Sequence, residues 1–137
     1  MVKDVWLNLP VKDVKRAQTF FTDLGFTFNA QHADGVNSAC LMMSEKNVAV
    51  MLFAEHIFKS FTSNNVITGT DNSEVLISFS AESQQEVDEM AAKVEKAGGN
   101  IYSKPQLNQG WMYGFAFSDP DGHKWNMLYM DLSKMPK

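Results

Sequence analysis

The chain repeats itself, and an internal repeat restricts the architecture more than any single motif does. Val5-Trp6-Leu7-Asn8-Leu9-Pro10-Val11 lines up with Val75-Leu76-Ile77-Ser78-Phe79-Ser80-Ala81 at an offset of 70. Both segments read as short strands. At the same offset Ala17, Phe20, Phe21 and Leu24 fall over Val87, Met90, Ala91 and Val94, each set spaced as one face of a helix. A strand leading into an amphipathic helix therefore occurs twice.

The helix boundaries are marked in both copies. Asp13 stands where a side chain accepts the first free backbone N–H groups, and Ser83 with Glu86 forms a capping-box spacing. Gly25 and the Gly98-Gly99 pair follow the two helices, where a left-handed residue closes the last turn without a Cβ clash. Three more strand-like runs come after each: Thr27–Gln31, Ser38–Met43 and Val48–Phe53, then Ile101–Tyr102, Tyr113–Phe117 and Lys124–Met130. The order is βαβββ twice, an α+β pattern. The last strands align as Val48–Phe53 on Lys124–Tyr129, on the strength of a shared Met-Leu-aromatic triplet and an offset of 76.

Module one spans about 1–54, a connector about 55–73 and module two about 74–131, followed by a short tail. Within the connector, His56–Phe61 reads as a short helix with Ile57, Phe58 and Phe61 turned inward; the rest is polar and reads as a crossing loop. At 137 residues and 45% hydrophobic composition, a single domain is expected. A net charge of −4 with no Lys or Arg run argues against a nucleic-acid partner. Apolar runs are only a few residues long, so no membrane span or signal peptide is expected. The lone Cys40 forms no internal disulfide, which favours a cytoplasmic location.

Two βαβββ modules, with N-L-P-V-K-D entering the first helix and D-P-D-G-H-K-W entering the last strand, resemble the vicinal oxygen chelate superfamily of glyoxalases, bleomycin-resistance proteins and extradiol dioxygenases. The likeness covers nearly the whole chain, and Gly110-Trp111-Met112-Tyr113-Gly114 through Trp125 is similar to the predicted lactoylglutathione-lyase branch. The resemblance implies mixed, curved sheets that enclose a cavity, helices on the outer face, and a homodimer. By parity, Val5, Leu7 and Leu9, like Val75, Ile77 and Phe79, are expected beneath a helix. The cavity lining is then Trp6, Asn8, Val50, Leu52, Leu76, Ser78, Trp111, Asn126 and Leu128, suited to a small organic molecule.

Metal-dependent members of that superfamily carry one ligand in the first and one in the last strand of each module. Those positions fall here on Trp6, Val50, Leu76 and Asn126. A borderline divalent ion needs imidazole or carboxylate donors, and only Asn126 offers even a neutral carbonyl oxygen. No metal and no cofactor are expected.

Other chemistry is sparse. His123, Asp119 and Asp121 sit in a Pro/Gly turn that favours side-chain-to-backbone capping, and His32 and His56 lack metal spacing. Cys40 reads as a buried small hydrophobe. Trp111, Tyr113, Phe115 and Phe117 alternate along one strand as core or dimer interface, with Trp111 at a pocket rim as the other reading. Asn8, Ser78 and Asn126 either orient a ligand or satisfy one another and buried water. Three functions follow: a metal-free binding protein, a glyoxalase- or dioxygenase-like enzyme with a degenerate or relocated site, or a dimeric module whose cavity Trp6 fills.

Overall fold

The computed structural model describes residues 1–46, 48–67 and 71–136. The chain falls into two compact units, Met1–Thr68 and Gly69–Lys137. In the first unit, β1 (Leu7–Val11) leads to α1 (Val14–Asp23), then β2 (Thr27–Phe28), β3 (Ser38–Met42), β4 (Ala49–Ala54) and α2 (Glu55–Thr62). In the second, β5 (Leu76–Ser80) leads to α3 (Gln84–Lys96), then β6 (Asn100–Asn108), β7 (Met112–Ser118) and β8 (Lys124–Met130), closed by a single 3-10 turn, Leu132–Lys134. The sheets run β1-β4-β3-β2 and β5-β8-β7-β6. In each, the first strand pairs parallel with the last and the other pairs are antiparallel. The same mixed topology is thus built twice, as the repeat requires, giving an α+β fold.

The caps form where the sequence places them. Asp13 Oδ1 accepts from the Arg16 N–H at 3.1 Å, and Ser83 Oγ accepts from the Glu86 N–H at 3.1 Å. Glu86 reaches back to the Glu82 N–H at 2.8 Å, one residue before the usual capping-box partner. Gly25 and Gly98 are left-handed at φ 101° and 93°, the region that closes a helix end cheaply only for glycine. The apolar stripes bury Val14, Ala17, Phe20 and Phe21 on α1 and Val87, Ala91 and Val94 on α3.

Several boundaries differ from expectation. β1 starts at Leu7, so Val5 and Trp6 precede it, and Val5 and Leu7 are exposed rather than packed beneath a helix. Val75 likewise precedes β5 and is exposed. β2 is only 2 residues, whereas β6 runs for 9 and passes through Pro105 with register shifts. It lies at the edge of its sheet, where a residue without an N–H is tolerated. The connector helix forms, with Ile57 and Phe58 half-buried; Phe61 is exposed but meets Phe53 edge-to-face at 5.1 Å.

Candidate functional site

Residues opposite one another across a sheet share a face, so strand register sorts the second sheet into two sides. One side carries Ile77, Trp125, Phe117 and Ile101 in one row and Phe79, Met127 and Phe115 in the next. Trp125, Phe117, Phe115 and Met127 are buried, and Phe115 stacks on Phe117 with centroids 5.4 Å apart. Tyr113, of the same parity, donates its hydroxyl proton to Asp88 Oδ1 of α3 at 2.7 Å. This is the side α3 covers.

The opposite side is free of α3. Its central row is Ser78, Asn126, Ala116 and Ser103, one residue from each strand. Leu76, Lys124, Ser118 and Asn100 form the row on one flank, and Ser80, Leu128, Gly114 and Gln106 the row on the other. Ala116 keeps partial exposure although β7 is an interior strand, so the middle of this face is not wholly covered. A Cβ on Gly114 would meet Met127 O at 2.5 Å and Leu128 Cδ2 at 2.6 Å. Glycine there lets the Leu128 side chain lie down against the sheet.

The parity of β8 is locked by the turn before it. Asp119, buried, accepts at Oδ1 from the Asp121 and His123 N–H groups at 2.9 and 3.1 Å, and at Oδ2 from Trp125 Nε1 at 3.0 Å. The turn capping read from the sequence is therefore present, and the indole bond adds an anchor in the core. Burial pushes the Asp119 carboxyl above its ordinary range, against the opposing pull of His123 and the indole bond. With Trp125 fixed inward, its neighbour Asn126 must point to the open side.

Two polar atoms on that side lack partners. Asn126 Oδ1 and Ser118 Oγ are both shielded from solvent without a hydrogen bond, and Ser118 is only 1% exposed. Buried polar groups are nearly always paired, so two neighbouring exceptions on one face mark it as incomplete.

The first sheet corrects part of the expected lining. Its register pairs Asn8 with Met51 and Leu9 with Leu52. Val50 and Leu52 are 1% and 0% exposed and share a face with Leu41 and Ala39, on the side packed by α1. They are core, not lining. Since Asn8 matches Ser78 in the repeat, the Asn8–Met51 and Ser78–Asn126 pairs make Met51 the counterpart of Asn126. The alignment of the last strands on their shared triplet is therefore one residue out of register; Phe53, not Leu52, corresponds to Leu128.

The remaining expected residues fall as follows. Trp6 lies before β1 and is 57% exposed, so it fills no cavity within its own unit. Asn8 is exposed in β1, on the side opposite Leu9. Leu76, 52% exposed, joins Ser78, Asn126 and Leu128 on the open side of the second sheet. Trp111 stands half-buried just ahead of β7, its carbonyl accepting from the Asp131 N–H at 2.8 Å and its Nε1 shielded without a partner. Ala116, Gly114, Ser118 and Ser103 escaped the sequence reading, because small residues carry no signal until register sets them beside Asn126.

The donor set does not fit a divalent ion. With the register corrected, the four positions hold Trp6, Met51, Leu76 and Asn126: an indole, a thioether, an alkyl group and a neutral amide. Among the described residues, no three His, Cys, Asp or Glu side chains gather as a metal site. A separate cleft of about 740 Å³ lies in the first unit where β1 meets α1 and β4 meets α2, lined among others by Lys12, Asp13, Val36, Asn37, Ala54 and His56. It includes none of the expected lining residues. Among the described residues, no helix is long and apolar enough to cross a membrane.

Comparison with known proteins agrees with this architecture. The sequence pattern of the Glyoxalase/Bleomycin resistance protein/Dioxygenase superfamily matches residues 5–127, and the chain belongs to that superfamily. A hypothetical protein from S. aureus is 31% identical, with 94% of this chain and 95% of that one covered and a TM-score of 0.82. A glyoxalase/bleomycin resistance protein/dioxygenase family enzyme from Burkholderia phytofirmans is 15% identical, over 92% and 97% of the chains, at a TM-score of 0.79. The fosfomycin resistance protein FosX from Listeria monocytogenes, as a glutamate-to-glutamine mutant with Mn(II) and a dihydroxypropylphosphonic acid, is 16% identical, over 98% and 95%, at 0.69. The last two likenesses show the fold alone. A search of curated proteins found no match. Membership supports a small-molecule-binding or enzymatic role and leaves the choice to the site.

Proposed function

We propose that the protein binds a small organic molecule without a metal ion, on the open face of the second sheet around Ser78 and Asn126. The observation that carries this reading is the Asn126 carboxamide, which stands at a metal-ligand position of the superfamily with its oxygen shielded and unpartnered. A carboxylate left there without a cation would be costly, whereas an amide is neutral and still directional. Leu76 and Leu128 supply apolar flanks, the usual mixture in a ligand site. Lactoylglutathione-lyase chemistry is not part of the reading, because the four positions have no donor suited to the ion.

In this reading the chain is one functional domain whose modules act together, and it works as a homodimer. Support comes from apolar side chains left exposed in and beside the edge strands β1 and β5, namely Trp6, Leu7 and Val75. A single buried cysteine, Cys40, suits a reducing cytoplasm. The test is a fragment screen by backbone amide NMR on the full chain. Hits that move Ser78, Ala116 and Asn126 support the proposal, and hits confined to the cleft near Lys12 and His56 overturn it. Sedimentation checks the dimer, which a strictly monomeric species removes.

A further inference from the structure

We infer, building on that proposed site, that its ligand is an uncharged molecule with an N–H beside a C=O on one edge, the pattern of a lactam, cyclic urea or imide. The central row of the open face holds two hydroxyls, one carboxamide and one methyl group, from Ser78, Ser103, Asn126 and Ala116, and nothing ionisable. Lys124 belongs to the flanking row, and its Nζ lies over the Tyr102 ring at 5.0 Å. An anion seated on the row would lose its water and find no cationic side chain within the row itself, Lys124 standing to one flank. A neutral ligand avoids that cost.

The carboxamide sets the pattern further. An Asn side chain presents an acceptor oxygen and donor N–H groups in one plane, and its complement is a donor and an acceptor side by side. Asn126 Oδ1 is the half of that pair for which a missing donor matters most, being shielded and unpartnered. Ser118 Oγ is a second, independent sign: it is also unpartnered, its side chain is almost wholly buried, and register sets it diagonal to Asn126 on the same face. Ala116, between Asn126 and Ser103, is small and partly exposed, so a flat ring laid over the middle of the sheet would meet only a methyl group there. A ligand that brings an N–H to Oδ1 completes a group the fold leaves incomplete.

The test compares three probes in amide NMR titrations of the full chain: the lactam 3,4-dihydro-2(1H)-quinolinone, its N-methyl derivative, and 3-phenylpropanoate. Removing the lactam N–H leaves Oδ1 unpaired, and a lost hydrogen bond of that kind weakens binding by about tenfold or more. The expected result is movement of the Ser78, Ala116, Ser103 and Asn126 signals, including the Asn126 side-chain amide, with the lactam tightest. Asn126→Leu, checked for folding by its own spectrum, should abolish the preference; the probe comparison on the unaltered chain stands without it. Equal binding of lactam and N-methyl lactam, or tighter binding of the carboxylate, at these same residues overturns the ligand class and leaves the site standing. No movement at these residues with any probe overturns the class and the site together.

Discussion

Removing the Asp119 carboxylate should unlock the turn that orients β8. In Asp119→Ala the buried indole N–H of Trp125 loses a charge-assisted bond of 3.0 Å, and the Asp121 and His123 N–H groups lose theirs. The indole bond contributes about 1.5–3 kcal/mol, and each turn bond, closer to water, about 0.5–1. Against this, removing a carboxylate whose burial opposes its charge returns part of that loss. The hydrogen bonds win, and the net loss should be about 1.5–4 kcal/mol, a large share of a typical domain's stability. Trp125→Phe removes the orphaned donor, so the double variant should be less damaging than the two single losses added, by about 1–2 kcal/mol. Urea unfolding of the four proteins measures both quantities. A single loss under about 1 kcal/mol, or additivity within about 0.3, would refute the anchoring role.

Asp119→Asn tests the charge itself. A carboxyl with a folded pKa raised above its ordinary 3.8 holds its proton more tightly when folded, so its contribution to stability is full below 3.8 and is lost as pH rises through the folded value. Stability of wild type relative to D119N should therefore fall as pH rises above the ordinary 3.8, and paired thermal melts at acid and neutral pH check the sign. Gly114→Ala drives a Cβ into Met127 O and the Leu128 side chain and should cost about 1–3 kcal/mol in denaturant unfolding. Leu52→Ala should cost about 2–5 kcal/mol if Leu52 is core as the register places it; a loss under about 1 would return it to an open face.

The repeat, the helix faces and the caps were legible because each has its own local signature: a spacing, an N-cap side chain, a glycine with positive φ. The register of β4 was not. Val50, Met51, Leu52 and Phe53 are all apolar, so both faces of the strand look alike, and a one-residue slip exchanges them without penalty in the sequence. The Met-Leu-aromatic triplet shared with β8 then favours the wrong alignment. Asn126 was legible because a polar residue interrupts an apolar strand next to a motif tryptophan. Ser118 and Ala116 were not, since their significance comes from pairing opposite Lys124 and Asn126. The length of β6 was not legible either: it runs on through Pro105, a breaker in an interior strand but a tolerated residue at an edge.

The most direct test of the account is elemental analysis of tag-free protein incubated with Zn²⁺, Ni²⁺, Mn²⁺ and Fe²⁺ and then desalted. The account predicts substoichiometric metal with every ion, because an indole, a thioether, an alkyl group and an amide occupy the four ligand positions. One tightly held ion per chain would contradict it and restore metal-dependent chemistry to this member of the superfamily.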